Sequence, residues 1–193
     1  PLIAGINDGE GLFFIRPNRT FETVEQQHAA RVQEFGEYSG GLLDMYVADS
    51  NQGIYRIEVD YNTDSWFARP TREILNAVAR SEENSYMHLF TRNLSNPEER
   101  SPHAMELMYV FNTLPSGASS EDWEIGELMN NYWIEFSKSG TPNRSELPQW
   151  PVYDIERETH QILDVEVRQG FQFRTQELNE LDRYFDERYE SIR

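Results

Sequence analysis

The chain has 193 residues, enough for one domain with a sizeable core, and with 38% hydrophobic and 13% aromatic residues it is too apolar to be disordered. Its net charge of −17 and pI near 4.5 argue against nucleic acid and anionic membrane surfaces as partners, because both demand positive charge on the protein. No run approaches the ~20 apolar residues of a membrane span, and the absence of cysteine excludes disulfides, thiolate metal sites and a cysteine nucleophile.

"PLIAGIN", residues 1–7, reads as a buried strand closed by Asn, Asp and Gly. A chain that opens on a core strand with no lead-in is expected to continue a longer one, and residues 1 onward show no basic n-region with an apolar h-region. "TFETVEQQHAARVQEFG" has helical spacing, with Phe21, Val24, Ala29, Val32 and Phe35 as the inner face and Gly36 as the stop. "GGLLDMYV" is a short helix or turn. "TDSWFARPTREILNAVARSE" predicts a helix with Ile74, Leu75 and Val78 inward and a kink or new start at Pro70. "SYMHLFTRNL" alternates and is rich in β-formers, so it is a strand.

"SSEDWEIGELMNNYWIEFSKSG" is a helix with Ser119 or Ser120 as its cap, acids in its first turn, Lys138 in its last and Gly140 beyond its end. "QILDVEV" is a late strand, and "TQELNELDRYFDERYESI" a terminal amphipathic helix. Strands alternating with helices predict an α/β fold, a mostly parallel sheet flanked by helices, whose active site collects at the carboxyl ends of the strands. Lys138 is the only lysine among seventeen basic residues. Such an acidic, lysine-poor surface fits high-salt surroundings as well as a codon bias of the lineage. The compartment is not legible.

Two stretches carry chemistry. In "GINDGEGLFF" a strand ends and Glu10 stands between glycines in a tight loop, either an ordinary turn residue or a carboxylate held by backbone and open to a partner. In "SPHAMELMYVFNTLP" His103 follows Pro102 in the loop after a later strand. It is either a capping or surface histidine or a general base, since an imidazole ordinarily titrates near neutrality. Together, a carboxylate after one strand and a histidine after a later one fit the last two members of an α/β-hydrolase triad, whose chain order is Ser, then Asp or Glu, then His.

With these segments in view, the chain resembles the C-terminal part of the type-B carboxylesterase and cholinesterase family, nearest to its bacterial para-nitrobenzyl esterases. "GINDGEGLFF" is similar to the family's triad-acid segment and "HAMELMYVFNTLP" to its histidine segment. "TDSWFARPTR", "YWIEFSKSGTPN" and "WPVYD" resemble further family segments in the same order. The resemblance implies that residues 1–193 are the C-terminal portion of a single α/β-hydrolase domain. Glu10 then orients and His103 acts as base, small carboxylic esters are the substrates, and no cofactor or metal is required. It also implies that the nucleophile elbow, of Gly-x-Ser-x-Gly type, and the glycine-rich oxyanion loop lie in an N-terminal portion outside this chain. That portion is a second chain, a cleaved segment or sequence outside this record, and the chain alone is expected to be inactive and to fold poorly.

"FGEYSGG" echoes the elbow, but Ser39 lies three residues after Gly36 where the elbow needs two, and it follows a helix, so it is rejected as nucleophile. Gly9 stands where the family usually has Asp, which is expected to loosen the loop aiming Glu10, and Asn112 stands where it usually has Gly. Glu106 matches a family position and is either a supporting acceptor beside His103 or a helix-start acid. Asp64 is either similar support or a helix cap. His28, His88 and His160 lack metal-ligand spacing and read as structural or exposed. Trp66, Trp123, Trp133 and Trp150 read as core, although Trp66 and Phe67 could reach an acyl or alcohol pocket. Asn18, Asn93 and Asn143 open glycosylation-type triplets expected by chance. The reading from another class is a non-catalytic, neuroligin-like adhesion member of the same fold.

Overall fold

The computed structural model describes residues 1–190. In chain order its elements are β1 (Leu2–Asn7), α1 (Val24–Phe35), α2 (Gly40–Tyr46), α3 (Ile54–Thr63), α4 (Arg69–Arg80), β2 (Ser85–Phe90), α5 (Glu106–Val110), α6 (Ser120–Ser139), β3 (His160–Leu163), β4 (Arg168–Gly170) and α7 (Thr175–Glu190). They divide into a sheet unit, Pro1–Gly9 with Thr71–Phe173, and a helical unit, Glu10–Pro70 with the chain from Arg174 onward. Among the described residues no helix is long and apolar enough to cross a membrane.

The sheet unit carries four strands in the order β1-β2-β3-β4; the first three run parallel and β4 pairs antiparallel with β3. The α/β architecture with a mostly parallel sheet is therefore as expected. β2 differs from its expected alternation in being buried along its whole length, Ser85 to Phe90. The reason is cover on both faces, the usual lot of a central parallel strand. Tyr86 and Phe90 pack with Tyr109 and Val110 of α5, Ile125, Met129 and Tyr132 of α6, and Trp150. Met87 packs with Leu75 of α4 and Tyr153. "QILDVEV" is a strand only in its first part: β3 stops at Leu163, and a further short strand, β4, starts at Arg168.

α6 begins at a reciprocal capping box. Ser119 Oγ accepts from the Asp122 N–H (3.1 Å) while Asp122 Oδ2 accepts from the Ser119 N–H (3.2 Å), which satisfies two donors the first turn leaves over. It ends where Gly140 adopts φ +76°, a left-handed conformation that glycine takes without a Cβ clash. On α4 only Leu75 of the expected inward residues is fully buried. Ile74 is 53% exposed, and Arg72 takes an inward place through an ion pair with Glu158 (3.1 Å).

The helical unit is less apolar than its sequence pattern implies. α1 stops at Gly36 as expected and starts at a Thr23 cap, but its buried residues are Gln27, Arg31 and Phe35, while Val32 is 40% exposed. The face is turned because Glu58 of α3 accepts from both Arg31 Nη2 (2.8 Å) and Gln27 Nε2 (2.7 Å). α3, which the sequence does not announce, buries Glu58, Asp60, Asn62 and Thr63 beside Ile54 and Val59. It runs on into a π-helical turn, Asp64–Ala68, closed by Arg69 N–H to Asp64 O, and then into α4. The wider turn admits Pro70, whose nitrogen has no hydrogen to donate, without ending the helix. α7 buries Leu178, Leu181 and Tyr184. The last two residues of its expected span, Ser191 and Ile192, lie outside the described residues.

Candidate active site

β1 and β2 are parallel neighbours, with Asn7 in register with Phe90, so their carboxyl ends open at the same edge of the sheet. There the loop leaving β1 is fastened to the segment that carries His103. Gly9 N–H donates to Ser101 O (3.0 Å), Ser101 N–H donates to Asp8 Oδ1 (2.7 Å), and Asp8 N–H donates to Phe90 O (3.1 Å). Asn7 Nδ2 donates to Pro102 O (2.7 Å) and to Glu106 Oε2 (2.6 Å). His103 is half-buried in the turn before α5, and Ala104 after it has φ +65°. A side chain bearing a Cβ is uncommon in that region, so this turn holds local strain.

Asp8 is the perturbed carboxylate of this edge. Burial pushes its pKa up to about 6, with Asp164 adding to the rise, against the Ser101 N–H and the Arg100 guanidinium, which pull it down. Asp164, after β3, accepts from the Thr91 hydroxyl (2.6 Å). The carboxyl edge thus gathers acids, an imidazole and backbone donors from the ends of three successive parallel strands, the arrangement from which open α/β sheets build their sites.

Within the helical unit, Glu10 is the first residue of the short 3₁₀ turn Glu10–Phe13 and is 5% exposed. That turn is seated on α3: Gly11 N–H donates to Thr63 Oγ1 (3.0 Å), whose hydroxyl donates to Val59 O (2.9 Å). A Cβ on Gly11 would come within 2.4 Å of Val59 O, so only glycine permits the approach. Phe14 stacks on Phe67 (5.6 Å between ring centroids) and lies 6.0 Å from the Trp66 ring, forming an aromatic cluster with Trp66 64% exposed.

Asp64 belongs to the same unit and is completely buried. Its carboxylate caps no helix N-terminus, since Asp64 sits inside a continuous helical run where α3 passes into the π-helical turn. It accepts from Tyr46 OH (2.9 Å) and forms an ion pair with Arg174 (2.6 Å). Burial raises its pKa to about 6 although Arg174 and Tyr46 pull the other way.

The structure therefore sets His103 and Glu106 on one short stretch of the sheet unit, and Glu10 and Asp64 in the helical unit. Ser39 has ordinary helical backbone (φ −64°, ψ −18°) between a 3₁₀ turn and α2, not the strand-to-helix elbow of a nucleophile. Trp150 is core as expected, but Trp66 and Trp123 are surface residues. His88 and His160 are buried, and burial lowers the His88 pKa to about 4. Asn112 has φ +50°, a left-handed position that asparagine tolerates better than other non-glycine residues. Gly9 makes a backbone bond to the histidine segment, so its loop is anchored on that side. Sequence reasoning missed Asn7, Asp8 and Arg174. The signal for the first two was their place at the carboxyl end of a buried strand.

The carboxylesterase family model matches residues 1–181. The cocaine esterase of Homo sapiens is 23% identical over 188 residues, covering 84% of this chain and 33% of that protein. Carboxylesterase 1C of Rattus norvegicus is 27% identical over 123 residues, 58% of this chain and 22% of that protein. Among solved structures, a PNB esterase superposes with a TM-score of 0.74 at 26% identity, and a second PNB esterase structure with 0.76 at 22%; each likeness covers 94% of this chain and 38% of that one. The chain thus shares the α/β-hydrolase fold of these esterases and spans about a third of the length of the proteins it matches.

Proposed function

The chain belongs to the carboxylesterase family, and from that premise we propose that it supplies two members of a Ser-His-Glu triad to an enzyme that hydrolyses carboxylic esters. Glu10 is the orienting carboxylate and His103 the general base. The observation that carries this reading is the fastening of the segment bearing each residue: the Gly9 N–H, one residue before Glu10, is bonded to Ser101 O (3.0 Å), two residues before His103. Loops at the ends of adjacent parallel strands, tied by backbone, suit a carboxylate and an imidazole that must keep one geometry.

In this mechanism a serine hydroxyl from an N-terminal portion outside this chain attacks the ester carbonyl while His103 takes its proton. Glu10 accepts the other imidazole N–H, which selects the tautomer and stabilises the imidazolium. His103 then returns the proton to the leaving alkoxide, and the alcohol departs. In the second half His103 takes a proton from water, which attacks the acyl-serine, and returns that proton to the departing serine oxygen, so the carboxylic acid leaves and the serine hydroxyl and neutral imidazole are restored. Oxyanion donors come from the same N-terminal portion. The exposed cluster of Phe14, Trp66 and Phe67 offers apolar surface for the acyl or alcohol group, and Glu106 and Asp64 support the site without reacting. By itself the chain is expected to be inactive.

The test is turnover of a chromogenic phenyl ester by the full-length protein. His103→Ala is expected to lower kcat by roughly 10³-fold or more. Turnover that stays within about tenfold of the parent would remove His103 from the mechanism.

A further inference from the structure

His103 is flanked by two groups that a single side chain holds. Asn7 is 1% exposed, at the last position of β1. Its Nδ2 donates to Pro102 O at 2.7 Å and to Glu106 Oε2 at 2.6 Å. A carboxamide nitrogen carries two hydrogens, and these two acceptors use both. One acceptor precedes His103 directly in the chain and the other follows it by three residues, so the turn carrying the imidazole is gripped at both ends. Between the grips lies Ala104 at φ +65°, a conformation that relaxes unless its surroundings hold it.

We propose that Asn7 is a positioning residue for His103: its amide holds the strained turn in the one conformation that presents the imidazole to the reaction. The proposal rests on His103 being the general base. It follows from donor chemistry, so an aspartate of the same shape fails at this position. A carboxylate in place of the Asn7 amide would face the Pro102 carbonyl and the Glu106 carboxylate with oxygen against oxygen, turning two attractions into repulsions.

The experiment is carried out on the full-length protein with Asn7→Asp, with Asn7→Asp/Glu106→Gln, and with Asn143→Asp. The last breaks a comparable side-chain clamp, on the Trp150 backbone in the same unit. Asn7→Asp is expected to lower kcat about 10- to 100-fold with KM within about threefold, because a small misplacement of a reacting group costs that much. It also shifts the His103 ring resonances, assigned by their loss in His103→Ala. In the double variant the two partners exchange roles: the amide introduced on α5 donates to the carboxylate introduced on β1, and part of the lost kcat returns. Asn143→Asp lowers Tm and leaves kcat unchanged.

A folded Asn7→Asp protein with kcat within about twofold of the parent and unmoved His103 resonances would overturn the proposal. So would a double variant that recovers nothing. If Asn7→Asp does not fold, hydrogen exchange of the Asn7 side-chain amide in the parent protein decides: slow exchange supports the two bonds and exchange as fast as a free amide overturns them. Should His103→Ala keep full activity, the base assignment fails, while the ring resonances in Asn7→Asp still report separately on positioning.

Discussion

Trp150 in the sheet unit and Arg31 in the helical unit are both buried, and opposite chemistry keeps them there. Trp150 is wholly enclosed, its ring 5.1 Å from that of Tyr132 and 5.6 Å from that of Trp133, and its one polar atom, Nε1, donates to Met87 O at 3.0 Å. Arg31 is 6% exposed, doubly bonded to Glu58, stacked 4.0 Å over the Tyr61 ring, and its Nε has no partner among the described residues. The centre of the sheet unit around Trp150 follows from apolar burial, which needs no direction. The helical unit depends on a buried charge meeting its counter-charge, which is specific but offset by the cost of desolvating both. The histidine segment is built on the first kind of core and the Glu10 turn on the second.

The contrast can be broken from either side. Trp150→Ala empties the aromatic centre and is expected to cost about 3–5 kcal/mol, read as a drop in the denaturant midpoint. If the loss were under about 1 kcal/mol, the sheet unit would not rest on that ring. In the helical unit Glu58→Leu strands the Arg31 guanidinium and the Gln27 amide together. Its expected cost is about 3 kcal/mol, at the low end for a buried charge without its partner, because Glu34 still pairs with Arg31. Adding Arg31→Met to it should recover most of that loss, since a well-filled apolar pair is often as stable as the buried ion pair it replaces. A double variant as unstable as Glu58→Leu alone would mean that the polar core holds the helices for some reason other than charge pairing.

The same contrast decides what was legible in the sequence. β1, the β2 segment and α6 could be read because apolar runs, a serine cap and Gly140 are local signals that agree with where the residues go. The α1 face could not, because periodicity takes Val32 as inward and Arg31 as outward and has no means of knowing that Glu58 waits 27 residues on. α3 escaped for the same reason. β4 escaped because its three residues are too short to leave a pattern. At the candidate site segment resemblance singled out Glu10 and His103, the two residues proposed above. Asn7 was not, because an asparagine closing a strand reads as a loop signal and its acceptors lie 95 and 99 residues away.

The smallest effect separates two buried carboxylates, Asp64 of the helical unit and Asp122 of the sheet unit, by the sign of their response to acid. Asp64 has its folded pKa raised from 3.8 to about 6, chiefly by burial. The folded state therefore binds more protons than the unfolded one between those values, and stability from this group is full below pH 3.8 and lost as pH rises through 6. Asp122 in the sheet unit is the reverse. Burial raises its pKa, but hydrogen bonds from Arg92, Ser119 and Tyr109 outweigh that and hold the carboxyl well below its ordinary value. Its contribution is present above pH 3.8 and fades as pH falls below it. Each slope is at most about 1.4 kcal/mol per pH unit. Asp8 leans the same way as Asp64, so the comparison needs a difference: the stability of the parent minus that of Asp64→Asn, followed from pH 3 to pH 7 by chemical denaturation. That difference should shrink as pH rises from about 4 to about 6. If the two curves run parallel across that window, the Asp64 carboxyl is not paying for its burial, and the ion pair with Arg174 would have to count as a net stabiliser of the helical unit.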